Sequence, residues 1–355
     1  MAKYSKYFTS SPDWERYSSD PSRPELALQS GPKESNPIDI AADRTAQAVE
    51  EEKWAAEHPP ESYRYTAREE KVTMKDGHQV GVKIYHPKNA TTEKKLPLLF
   101  VTHGGGWVEG TYITEEVWLL YPIFMNFEFV VVSVDYRLAP EHTYPTYVDD
   151  CWDALQWTAK KVDELGADPG RIFLAGSSAG GSLAAVMAQK AREAHMQIKG
   201  VVLNVPVTCH PRWFPKEEYE YTSYMQCVGT MLNGEYMNQV WDMACPDSER
   251  GKEVDASPLL GDVKGLPPHL VFVAGQDPLR DEALAYVEKM EKAGVKVKWH
   301  IYQGVPVSTP TGPFWVLSSL QANDLQLFRP NTAFCLIAYT YSCINRINSR
   351  CPHMC

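Results

Sequence analysis

The 355-residue sequence predicts an α/β fold, a mostly parallel sheet with helices on both faces. Three observations carry this. Continuous apolar runs, the mark of strands covered on both faces, recur at 96–101, 129–134, 172–175, 201–205 and 270–274. Helix-spaced segments alternate with them; 147–162 places Val148, Cys151, Trp152, Leu155 and Ala159 on one face. Finally, Gly104, Ser178 and Asp277 each fall just after a strand. Right-handed crossovers gather strand C-termini on one edge, so these three residues are expected to converge there.

The elements follow in order. Residues 1–60 are rich in Ser, Pro and charge and are expected to form a partly flexible N-terminal lid. Within it 41–57 reads as helical, with Ala42, Ala46, Val49, Trp54 and Ala55 as a loose apolar set. Residues 63–74 and 79–85 alternate around Asp76-Gly77, which predicts an antiparallel hairpin at a sheet edge. The run 96–101 ends in His103-Gly104-Gly105-Gly106-Trp107. Successive glycines cost chain entropy, and close approach of a substrate oxygen to bare N–H groups gives a reason for them. No Gly-Lys-Ser/Thr follows, which disfavours a phosphate loop, and the spacing does not fit a dinucleotide fingerprint.

The segment Arg171 to Gly181 organises the rest. A turn signal, Asp168-Pro169-Gly170, precedes a short apolar strand; a helical run, 183–193, follows Gly-x-Ser-x-Gly. A serine on a sharp strand-to-helix turn points its hydroxyl out of the sheet, and the helix start offers N–H groups to a developing oxyanion. Residues 208–256 mix aromatics, methionines and charges without strand runs and read as a cap-like insertion. There His210, Met225, Met231, Met237 and Met243 are candidates for pocket lining or for ordinary packing. The sheet resumes at 270–274 and leads to Asp277-Pro278-Leu279-Arg280-Asp281; helix 283–292 stops at Gly294, and 295–302 alternates as a last strand.

Composition narrows the function classes. A formal net charge of −10 argues against a nucleic-acid or anionic-membrane surface. The polar first twenty residues carry no secretory signal, and no apolar stretch reaches the length of a membrane span. The eight cysteines show no metal-site spacing, so no metal is expected. A reducing, cytoplasmic location is expected, with free thiols. The sequence carries no signal for an oligomeric state.

Taken together, residues 63–306 resemble the hormone-sensitive-lipase-like carboxylesterases, the third branch of the α/β-hydrolase fold. The resemblance rests on four stretches in the family's order and spacing: His103 to Trp107, Asp135 to Glu141, Gly176 to Gly181, and Asp277 to Glu282. It implies an α/β-hydrolase fold with a helical cap at 208–256, Ser178 as nucleophile and Asp277 as the acid that orients a histidine. It implies an oxyanion hole in the loop His103-Gly104-Gly105, its donors the N–H groups of Gly104, Gly105 and Ala179. His103 and His142 are motif residues and not the family's base, and Asp281 and Glu282 suit a helix start. Ser177 departs from the family, where many members carry Asp. A small to medium ester is the implied substrate, with no metal or organic cofactor.

The large departure is the histidine. In the family it follows the last strand as Gly-Val-x-His; this chain reads Gly304-Val305-Pro306-Val307. His300 falls inside the last strand and His353 at the far tail. Composition breaks at the same point. After Val305 the only charged residues are Asp324, Arg329, Arg346 and Arg350, and half of the cysteines lie there. Val307-Ser308 is encodable as a eukaryotic splice start. Residues 307–355 are therefore expected to be an atypical tail from intron read-through or a wrong exon join, and the source to be fungal. Two functions follow. One is a serine ester hydrolase, with a role in secondary metabolism as the expectation, impaired by the missing base. The other is a non-catalytic small-molecule binder, as in the plant gibberellin receptors, which resemble the family and lack the histidine.

Overall fold

The computed structural model describes residues 3–10, 37–58, 64–88, 90, 95–120, 124, 128–227 and 232–306, together with 12, 15 and 19. The expected tail 307–355, with Val307 and His353, lies outside the described residues, as do Met231 and much of the expected lid.

Among the described residues eight strands form one sheet: β1 (Tyr65–Thr73), β2 (Gln79–Pro87), β3 (Leu96–Thr102), β4 (Val130–Asp135), β5 (Ala167–Ser177), β6 (Gly200–Asn204), β7 (His269–Gln276) and β8 (Val297–Pro306). Their order is β1-β2-β4-β3-β5-β6-β7-β8. The β1–β2 and β2–β4 pairs are antiparallel and all other neighbours are parallel. The leading hairpin forms where Asp76-Gly77 predicts it: Gly77 takes φ +87° and the Met74 N–H donates to His78 O at 2.8 Å.

The longer helices among the described residues are α1 (Ile40–Glu57), α2 (Thr146–Lys160), α3 (Ala179–Glu193), α4 (Gly234–Ala244) and α5 (Arg280–Lys292). Apolar faces of α2, α3, α4 and α5 share one buried cluster with one side of the sheet. Gly294 ends α5 at φ +78°, as its position predicts. The opposite side carries a second cluster in which Leu119, Leu120 and Phe124 meet Tyr65, Tyr85, Leu99 and Val131. The segment behind it, a short helix at Tyr112–Glu115 and a π turn at Glu116–Leu120, has no counterpart among the sequence-predicted elements.

One element differs from expectation. Asp168-Pro169-Gly170 reads as a turn that ends before the strand, yet β5 starts at Ala167. The pairing jumps from Leu96↔Ala167 to Leu98↔Ile172, so residues 168–171 bulge out opposite a single residue of β3 without leaving the sheet. Asp168 holds the bulge by accepting from Gly170 N at 2.9 Å and Arg171 Nε at 2.7 Å.

Two N-terminal pieces reach the C-terminal edge of the sheet. Residues 3–10 cross β7 and β8 so closely that a Cβ on Gly275 would lie 2.2 Å from Tyr7 O, and one on Gly304 2.2 Å from Ser10 Cα. Tyr4 is buried, and the Lys3, Tyr4 and Ser5 N–H groups all donate to the Glu220 carboxylate in the cap. Helix α1 docks elsewhere, through Arg44. Its Nε donates to Val108 O, one Nη to Ala139 O, and the pair of Nη groups grips Glu141.

Within the cap, Met237 is core, Met243 packs at the core's edge and Met225 is exposed. His210 packs against Trp241, the ring centroids 4.7 Å apart and the planes tilted, and its Nδ1 accepts from Arg212 N at 3.2 Å. These are packing roles. The acids after Asp277 hold the cap down. Asp281 accepts from Thr222 N and Ser223 N, and Glu282 from Thr208 N. Cys151, Cys209, Cys227 and Cys245 form no disulfide among the described residues, and no helix described is long and apolar enough to cross a membrane.

Candidate active site

The turn from β5 into α3 is built by close packing. Ser178 sits at φ +53°, ψ −118°, a strained conformation for a residue with a side chain. Its N–H donates to Asn204 O at 2.8 Å, and its own carbonyl accepts from Ser182 N at 3.0 Å and Val207 N at 3.1 Å. The flanking glycines are forced by contact. A Cβ on Gly176 would stand 2.3 Å from Gly180 O, and one on Gly180 2.1 Å from Thr102 O. The end of β3 therefore touches the elbow backbone directly. Gly180→Ala is expected to destabilise the protein by roughly 3 kcal/mol or more, since backbone must move. Equal urea midpoints for variant and parent would refute this packing.

Ser178 is partly exposed, and among the described residues its hydroxyl makes no hydrogen bond. Behind it lies the glycine loop. Gly105 and Gly106 take φ +110° and +60°, and Trp107 also has positive φ. A Cβ on Gly105 would fall 2.2 Å from Glu109 O, so the loop curls tightly on itself. Its N–H groups have different fates. Gly104 N donates to Glu115 Oε2 at 3.2 Å, whereas among the described residues those of Gly105 and Ala179 meet no acceptor.

His103 is fully buried and stacks on Tyr136 at 4.1 Å, and its Nδ1 lies 2.8 Å from Gly104 O. Burial pushes its pKa down to about 4. It is a neutral packing group behind the loop and offers no base to Ser178.

Asp277 follows β7, two strands from Ser178, a lateral separation of roughly 10 Å. Its Oδ1 accepts from Leu279 N at 2.8 Å, while Oδ2 is buried and meets no donor among the described residues. Burial pushes its pKa up to about 8. Strand β8 brings Pro306 opposite Gln276, the residue before Asp277. His300 pairs with Phe272 and stacks on its ring at 5.8 Å. Five residues of strand separate Phe272 from Asp277, roughly 16 Å. His300 therefore does not serve Asp277.

Sequence reasoning missed Glu115, whose carboxyl is fully buried. Oε1 accepts from Ser177 Oγ at 2.6 Å, and Ser177 Oγ in turn accepts from Asn204 Nδ2 at 3.2 Å. The available signal was Ser177 itself: the resemblance implies an acid at this position in many members, this chain has a hydroxyl, and Glu115 brings a carboxyl to it from another segment. A groove of about 400 Å³ near the hairpin is lined by Arg44, Lys71, His78, Asp135, Arg137 and His142. It lies apart from Ser178 and Asp277. No cluster of side chains fit to hold a metal occurs among the described residues.

A family model described as alpha/beta hydrolase fold matches residues 99–309. The chain is similar to the carboxylesterase NlhH of Mycobacterium tuberculosis, 34% identical over 248 residues, covering 68% of this chain and 74% of that protein. It is similar to the versiconal hemiacetal acetate esterase of Dothistroma septosporum, 33% identical over 264 residues, with 72% and 78% covered. Among solved structures, the crystal structure of vibralactone cyclase superposes with a TM-score of 0.75 at 27% identity, covering 98% of this chain and 97% of that one.

Proposed function

Since the chain belongs to the alpha/beta hydrolase fold family and is by family an enzyme of carboxylesterase type, we propose that it cleaves small to medium esters through Ser178. The observation that carries this is the elbow: a partly exposed serine at positive φ, at the start of α3. Ser178 Oγ bonds to the ester carbonyl carbon, and the Gly105 and Ala179 N–H groups receive the oxyanion. The alcohol leaves, and water then releases the acid from the acyl-enzyme. Asp277 is the acid that would orient a base at the end of β8, and the reaction needs no cofactor.

The missing base belongs to the same proposal. Asp277 Oδ2 has no donor among the described residues, and Val307 stands where the family's histidine is expected. The serine proton then passes to solvent, and turnover is slow. Loss of one triad member leaves catalysis of about 10³–10⁴-fold over water, from the oxyanion hole and binding alone. The likeness to an acetate esterase and to vibralactone cyclase favours a small ester or lactone of secondary metabolism, and the splice-like Val307-Ser308 a fungal source.

Hydrolysis of p-nitrophenyl acetate tests the reading. Slow turnover lost in Ser178→Ala is the expected result; equal rates for the two proteins would refute it. The orphaned Asp277 oxygen also favours a second reading, a small-molecule binder under the N-terminal lid. Calorimetry with hydrophobic acids and esters separates the two, since a binder gives tight association with no turnover.

A further inference from the structure

We propose that Glu115 is a positioning residue of this site: its buried carboxylate holds the Gly104 N–H and the Ser177 hydroxyl together, fixing the glycine loop against the elbow. The inference rests on the ester-hydrolase reading and deepens it. The two contacts come from the two segments that must be in register for an oxyanion hole to exist. Oε2 takes Gly104 N at 3.2 Å, on the loop that carries Gly105. Oε1 takes Ser177 Oγ at 2.6 Å, one residue before the nucleophile. With Gly104 so occupied, Gly105 and Ala179 are left to face the substrate. Their spacing depends on a loop that would otherwise be free to rotate at glycine positions.

Glu115 is itself held from outside. It ends the short helix Tyr112–Glu115, whose Thr111 start is a capping box closed by Thr114. Glu51 of α1 accepts from Thr111 Oγ1 at 2.9 Å and Thr114 Oγ1 at 2.7 Å, and Gln47 accepts from Gly110 N at 3.1 Å. A chain of hydrogen bonds thus runs from the lid helix through Glu115 to the loop and the elbow. Tyr136 anchors the same loop from behind, donating its hydroxyl to His103 O at 2.8 Å. Burial of a carboxyl is costly and needs compensating partners. Glu115 has them only in this arrangement, so the loop and the carboxyl fix each other.

The test uses the full-length chain and two variants. Glu115→Ala removes both acceptors and is expected to lower kcat for p-nitrophenyl acetate by on the order of tenfold to a hundredfold with KM little changed, because loop geometry matters most in the transition state. Glu115→Gln still accepts from Gly104 and donates to Ser177, and is expected to recover most of that loss. Leu284→Ala, a core truncation on α5, controls for a plain loss of stability and should leave kcat unchanged. An unchanged kcat in Glu115→Ala, or Glu115→Gln falling as far as it, would overturn the proposal. Amide hydrogen exchange over 103–110 gives a readout independent of hydrolysis. Faster exchange there in Glu115→Ala, with Glu115→Gln near the parent, supports the proposal even if no ester is cleaved. Unchanged exchange overturns it.

Discussion

Val307→His raises the turnover of p-nitrophenyl acetate by at least about 10³-fold, and Ser178→Ala in the same background removes the gain. The size follows from triad energetics: loss of one member costs on the order of 10⁴ or more, and restoring the base returns most of it. The position follows from β8. Pro306 pairs opposite Gln276, so β8 ends beside Asp277, whose Oδ2 is buried and meets no donor among the described residues. An imidazole entering there would donate Nδ1–H to that oxygen and present Nε2 to the serine across the roughly 10 Å between strands β5 and β7. A second protein with a family-like histidine loop and helix grafted after Pro306 covers the case in which one residue does not orient the ring. If both leave the rate at the parent level, Asp277 is not the orienting acid of a serine esterase.

The middle of the sheet was legible because its strands are buried on both faces and read as unbroken apolar runs, β3 being buried at every position, whereas the outer strands showed as alternation. The site was legible because its geometry requires glycine, as contacts near 2 Å at Gly176, Gly180 and Gly105 show. What stayed hidden has no periodic signature. Glu115 lies in a one-turn helix whose capping threonines are held by Glu51 of α1, and nothing local marks it as buried. The bulge at 168–171 was misplaced because Pro-Gly reads the same in a turn and in a bulged strand. The lid contacts of Arg44 and Gln47 join residues more than sixty positions apart, a separation no window along the sequence spans.

Asp277→Asn is expected to stabilise the protein at pH 9 and to leave it unchanged at pH 4. Burial raises the Asp277 pKa to about 8 from an ordinary value of 3.8. A group whose folded pKa is raised contributes stability that is fully present below its unfolded pKa and is lost as pH rises through the folded one. Between pH 4 and pH 8 the unfolded chain gives up this proton and the folded one keeps it, so stability falls with rising pH. Glu115 and Glu109, raised to about 7, and Asp135, raised to about 6, all by burial, slope the same way in the parent. They persist in the variant, as does the repulsion from a net charge of −10, and cancel in the difference. Asparagine mimics the neutral acid and still accepts from Leu279 N. The gain at pH 9 is on the order of 6 kcal/mol, or roughly 5–10 °C in Tm for a chain of this size. The sign also bears on the base. A histidine donating to Oδ2 would keep Asp277 ionised through neutral pH, and Asn would then cost stability at pH 7. A Tm difference between Asn and parent that is flat from pH 4 to pH 9, or negative at pH 9, would show that Asp277 is a paired carboxylate and that the chain has its base after all.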